Sequence, residues 1–164
     1  MVQIERHWCM PDKNTFLMKP VKTLLSKYNF NNWADPFAGY NSPAEITNDI
    51  NLERPTKYHE DSLKFLERFQ PNTIDGVLFD PPYSIHQAVI CYNGNEMSKS
   101  SALHYDQISK IIKPGGTCIC FGWNSNGIGK TRGFQMEKIL LLAHGSSHND
   151  TIVTVERKIN HSLI

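Results

Sequence analysis

The chain has 164 residues, enough for one domain whose hydrophobic core needs no disulfide or metal staple. Its 17 basic and 16 acidic residues nearly cancel, which excludes a protein that holds nucleic acid by an overall basic excess and leaves only a local patch for that purpose. The four cysteines lack C-x-x-C spacing and no long apolar run or secretory segment is present, so a reduced, cytoplasmic protein with no membrane span is expected.

In chain order, residues 21–28 follow Pro20 and set Val21, Leu24, Leu25 and Tyr28 at helical spacing, with proline at the start where its missing amide donor does no harm. Residues 32–35 and 46–50 are short, mostly apolar and bounded by acids, Gly or Pro, the pattern of buried parallel strands. The span 36–45 is short for a crossover between them and contains Pro43, so the first crossover helix is expected to be reduced or missing. A helix over 62–69 starts after Asp61 as N-cap, and a strand over 76–80 follows. The helix at 102–112 stops at Lys113-Pro114-Gly115-Gly116, ahead of a strand over 117–122. Cys118 and Cys120 alternate along that strand, as two small core residues on one face would. Runs at 137–143 and 151–156 flank the polar turn 144–150, and an antiparallel hairpin closing one edge of the sheet is expected. His144 and His148 fall in that turn, where a turn role is expected and no metal site. Together these elements predict a single domain over 1–164: an α/β, doubly wound, mostly parallel sheet with a C-terminal antiparallel hairpin.

The segment with the clearest chemistry is Val77-Leu78-Phe79-Asp80-Pro81-Pro82-Tyr83, an apolar strand ending in an acid, two prolines and an aromatic ring. Ligands of open α/β sheets bind beyond the carboxyl ends of the strands, which is where these residues would stand. Two successive prolines donate no backbone hydrogen bonds, so the Asp80 carboxylate and the Pro81 carbonyl can serve as fixed acceptors for an amino group with two N–H donors. Tyr83 would stack on a planar ring.

These residues resemble the amino-methyltransferase family, in which a [DNS]-P-P-[YFW] motif accompanies methylation of adenine, cytosine or other planar amino groups. Asp35-Pro36-Phe37-Ala38-Gly39 resembles the family's D-P-F-x-G loop, and Phe16-Leu17-Met18-Lys19-Pro20 its F-x-x-K-P element; both line the methionine end of the cofactor. Thr47-Asn48-Asp49-Ile50-Asn51 is similar to the second-strand motif, with Asp49 toward the ribose hydroxyls. His59-Glu60-Asp61-Ser62-Leu63 is similar to the third, with Asp61 toward the cofactor's adenine. The resemblance implies a Rossmann-like methyltransferase domain using S-adenosyl-L-methionine, with Asp80, Pro81, Pro82 and Tyr83 catalytic. It implies that Phe16, Lys19, Pro20, Asp35, Phe37, Gly39, Asp49, Asp61 and Ser62 bind the cofactor, and that the acceptor is adenine in DNA.

Two departures stand out. Tyr40-Asn41-Ser42-Pro43 replaces the small residues that usually follow the glycine, and the chain holds no separate target-recognition segment, only the loops 84–101 and 122–133. Those loops contain His86, Gln87, Tyr92, Asn93 and Asn95, then Trp123, Asn124, Asn126, Lys130 and Arg132, which can stack on bases or meet phosphates. An RNA base, a protein glutamine, or a non-catalytic cofactor-binding subunit stay open as alternatives, and a homodimer or partner subunit would supply missing contacts.

Overall fold

The computed structural model describes residues 1–82 and 101–159. Among these residues, seven strands form one sheet: β1 (Gln3–Trp8), β2 (Trp33–Asp35), β3 (Ile46–Thr47), β4 (Ile74–Phe79), β5 (Ile112–Gly122), β6 (Phe134–Ala143) and β7 (Thr151–Lys158). Their spatial order is β1-β6-β7-β5-β4-β2-β3. The pairs β1/β6, β2/β3, β2/β4 and β4/β5 are parallel, and β7 runs antiparallel to both β5 and β6. This is the expected doubly wound, mostly parallel sheet.

The central strands are buried on both faces, as parallel strands covered by helices must be. Alternate residues therefore feed two cores. On one side Leu78, Ile119, Phe121, Leu140, Leu142, Val153 and Val155 pack with Val21, Leu24 and Leu25 of α1 (Lys19–Leu25). On the other, Val77, Phe79, Cys118 and Cys120 pack with Phe65 and Leu66 of α2 (Ser62–Glu67) and Ile108 and Ile111 of α3 (Ser101–Ile111). The two cysteines share a face as expected, with sulfurs 3.6 Å apart, and burial pushes the Cys118 thiol well up. Gly76 has to lack a side chain, because a Cβ there would come within 2.3 Å of the Trp33 indole. Asp61 caps α2 by accepting from the amides of Leu63 at 3.0 Å and Lys64 at 3.2 Å, a contact of about 1 kcal/mol.

Four differences from the sequence reading have physical causes. The β6/β7 hairpin exists but does not close the sheet. β7 is threaded between β5 and β6, and the edge is β1, whose polar and largely exposed residues carry no buried stripe to announce a strand. β3 stops at Thr47, beyond which Asn48 keeps one bridge to Tyr58 and donates its side chain to the Pro36 carbonyl, and Asp49 accepts the Gly39 amide. β5 starts at Ile112. The expected 113–116 turn becomes an irregularity inside it, because Ile74 pairs with Ile112 and Gly76 already with Thr117, with Gly115 at φ +83°. The helix before β2 runs over Lys19–Leu25 and ends three residues short of Tyr28. No helix occupies residues 36–45, as Pro43 suggested. Among the described residues no helix is long and apolar enough to cross a membrane.

Candidate active site

The carboxyl ends of β2, β3 and β4 meet at one place, because the three strands are parallel neighbours. β2 ends in Asp35, which is fully buried. One of its carboxylate oxygens accepts the Phe37 amide at 2.9 Å and the other the Ser42 hydroxyl at 2.6 Å. The residue thus folds the 36–42 loop back on itself, in place of a crossover helix. Burial raises its carboxyl to about 7, opposed by those hydrogen bonds and assisted by the negative charges of Asp80 and Asp49.

The loop then passes Gly39, at φ +58°, where a Cβ would meet nothing within 4 Å. Its backbone therefore faces open space. The Gly39 amide donates to Asp49 Oδ2 at 3.1 Å, while Asp49 Oδ1 accepts the Asn51 amide at 2.9 Å. Asp49 is 2% exposed, and burial raises its carboxyl despite these donors and the nearby charge of Arg54. Beneath it Asn48, fully buried, donates to the carbonyls of Pro36 and Glu60 and accepts the Glu60 amide. Asp80, Pro81 and Pro82 follow the last residue of β4 directly.

A cavity of about 720 Å³ opens over these strand ends. Phe16, Phe37, Gly39, Asp49, Asp80, Pro81 and Pro82 all line it. Of the other sequence-predicted residues, Asp35 lies behind the wall with both oxygens turned inward, and Lys19, Pro20, Asp61 and Ser62 are outside the lining. Ser62 bonds His104 at 2.8 Å. Tyr83 and residues 84–100 lie outside the described residues. Of the loop after β5, Trp123 lines the cavity, whereas Arg132 is held 2.6 Å from Asp106 of α3.

Several lining residues carry no sequence motif. Arg54 stacks over the Tyr40 ring at 4.2 Å on the rim, which gives the unusual Tyr40 a partner. The far wall comes from residues 11–15 and from the turn after β6, including Lys13, His148 and Asn149. His144 joins these two pieces. Its Nδ1 donates to the Cys9 carbonyl at 2.7 Å, just ahead of the 11–15 segment, and its Nε2 meets the Thr151 hydroxyl at 2.8 Å. A spatial neighbourhood of this kind has no local signature. It exists only because β1 lies parallel to β6, so both loops emerge at the same end of the sheet.

No family model and no curated protein matches the sequence. Solved structures share the fold. A candidate class I S-adenosylmethionine-dependent methyltransferase from Listeria monocytogenes aligns with TM-score 0.58 at 17% identity, over 94% of this chain and 62% of that one. The 1,6-didemethyltoxoflavin-N1-methyltransferase of Burkholderia thailandensis, solved with 1,6-didemethyltoxoflavin and S-adenosylhomocysteine bound, aligns with TM-score 0.57 at 12% identity, over 87% and 78%. TrmN from Thermus thermophilus aligns with TM-score 0.56 at 16% identity over 87% of this chain and 49% of its own, so this chain spans about half the length of that protein. The fold is that of the Rossmann-like methyltransferases.

Proposed function

We propose that this chain is an S-adenosyl-L-methionine-dependent methyltransferase acting on the exocyclic amino nitrogen of adenine in DNA. The observation that carries the reading is the meeting of Asp80-Pro81-Pro82 with Gly39 and Asp49 in one cavity at the carboxyl ends of parallel strands. The chemistry of the donor set suits the cofactor. Gly39 offers bare backbone facing open space, Asp49 a nearly buried carboxylate for hydroxyl donors, and Asp49 and Asp80 are acids on the cavity wall that favour a cation. When bound, S-adenosyl-L-methionine supplies an electrophilic methyl group on a sulfonium sulfur.

The lone pair of an adenine amino nitrogen is delocalised into the ring, which makes it a poor nucleophile. In the proposed mechanism the Asp80 carboxylate and the Pro81 carbonyl accept the two amino hydrogens and draw the nitrogen towards a tetrahedral shape. As the new N–C bond would form while the methyl's bond to sulfur breaks and leaves a neutral thioether, positive charge grows on the nitrogen, and the same two oxygens stabilise it. Asp80 then takes the surplus proton, directly or through water. The base has to leave a duplex to reach them, at a cost of a few kcal/mol that stacking on Tyr83 would offset in part.

The test is incubation with methyl-labelled cofactor and separate DNA, RNA and protein pools. Label in adenine of the DNA pool is expected. Asp80→Ala is expected to keep cofactor affinity and lower transfer at least about a hundredfold, as for loss of one preorganised transition-state partner. Transfer to RNA or protein alone would reassign the acceptor, and retained turnover in the variant would remove Asp80 from the chemistry.

A further inference from the structure

We infer that Asn48 is a positioning residue for the cofactor, a buried side chain that ties together the two backbone segments flanking Asp49, the 36–39 loop and the 58–61 segment. The inference rests on the cofactor reading above. Asn48 is fully buried, and every polar group it carries is used. Its Nδ2 donates to the Pro36 carbonyl at 3.1 Å and to the Glu60 carbonyl at 3.0 Å, and its Oδ1 accepts the Glu60 amide at 2.9 Å. Its backbone amide donates to the Asp35 carbonyl at 2.9 Å, and its own carbonyl accepts the Ala38 amide at 2.9 Å.

The positions of these partners give the residue its meaning. Gly39 follows Ala38, Asp49 follows Asn48, and Asp61 follows Glu60. Gly39 therefore follows a residue bonded to the Asn48 backbone in a loop whose Pro36 carbonyl its side chain holds, Asp49 follows Asn48 itself, and Asp61, outside the cavity lining, follows a residue bonded to the side chain. Such a tie is needed here more than in a fold with full crossovers. Residues 36–45 form no helix, β3 has two residues, and past it the 58–61 segment is brought in by an isolated bridge between Asn48 and Tyr58 and by the His59 ring on the Asp49 carbonyl at 3.0 Å. Beside the Gly39 amide bond to Asp49 and the His59 bond to the Asp49 carbonyl, the Asn48 carboxamide ties the 36–39 loop, at Pro36, directly to the 58–61 segment, at Glu60. A carboxylate of the same shape would lose both donations and face two carbonyl oxygens.

The experiment compares wild type, Asn48→Ala and Asn48→Asp with Ile74→Ala, a buried-core control at the far end of β4. Thermal melts give stability, and calorimetry with S-adenosylhomocysteine gives affinity without turnover. Both Asn48 variants are expected to bind at least about tenfold more weakly, the effect of leaving buried polar groups unpaired at a site. Their KM for the cofactor should rise in proportion while kcat at saturation stays within about twofold. Ile74→Ala should lose stability with affinity unchanged. Should neither Asn48 variant fold, hydrogen exchange on the wild type decides: S-adenosylhomocysteine should slow exchange at the Ala38 and Glu60 amides, and unchanged rates would overturn the inference. Wild-type binding that folded Asn48 variants retain in full would overturn it alone, whereas no binding by wild type would remove the cofactor reading and the inference together.

Discussion

Asp35 ends a strand that points at the cavity, yet it lies outside the lining, fully buried, with its oxygens on the Phe37 amide and the Ser42 hydroxyl. Its proposed contact with the cofactor is therefore indirect, through the shape of the Gly39 loop. Burial raises its carboxyl from the usual value of 3.8 to about 7, so the folded chain takes up a proton that the unfolded chain releases near 3.8. The stabilisation from this group is complete below the unfolded value and is lost as pH rises towards 7. Asp35→Asn keeps an acceptor for Phe37 and removes the titration. Its stability relative to wild type is expected to rise between pH 4 and 7, by on the order of 1–4 kcal/mol, the linkage equivalent of a shift of this size. Urea denaturation at several pH values checks this, and a pH-independent difference would mean that Asp35 is not protonated on folding. At this scale the sequence marked strand-end motifs, and Asp80-Pro81-Pro82, Gly39 and Asp49 line the cavity, while their roles belong to the proposed function. It held Asn48 only as part of a motif, Tyr40 only as a departure and His148 only as a turn residue, because the contacts with Pro36 and Glu60, with Arg54, and around the cavity beside Lys13 join residues that are not neighbours in sequence.

At the scale of elements, strands with a buried face were readable and the edge was not. β4, β5, β6 and β7 carry dense runs of apolar residues, whereas β1 is a strand only because β6 offers it a backbone ladder. β7 also does something that its apolar pattern conceals. Glu156 sits among its buried residues, 1% exposed, and its carboxylate accepts the amides of Ile128 and Gly129. Those two bonds fasten the loop between β5 and β6, against which Gly127 fits only because it lacks a Cβ that would lie 2.3 Å from the carboxylate. Glu156→Ala should destabilise the fold by about 1–3 kcal/mol, the cost of leaving a buried donor unmet, and Glu156→Gln by less, since it keeps one acceptor. Chemical denaturation measures both, and equal losses would assign the effect to packing instead of hydrogen bonding.

For the whole molecule, a net charge of +1 leaves little general attraction for a polyanion. If DNA is the acceptor, discrimination has to come from a few groups around the cavity, each good contact contributing about 1–3 kcal/mol. A short site of about two to four bases is therefore expected, with single-stranded or distorted substrates preferred because less unstacking opposes extrusion of the base. Sequencing of methylated positions in random DNA tests this, and a long, strict site produced by a demonstrated monomer would contradict it. The threading of β7 between β5 and β6 has a further consequence, for the order in which the protein is made. Among the described strands β7 alone joins β5 to β6 and is synthesised after both, so the β1-β6 part has no backbone ladder to the β5-β4-β2-β3 part until β7 is made.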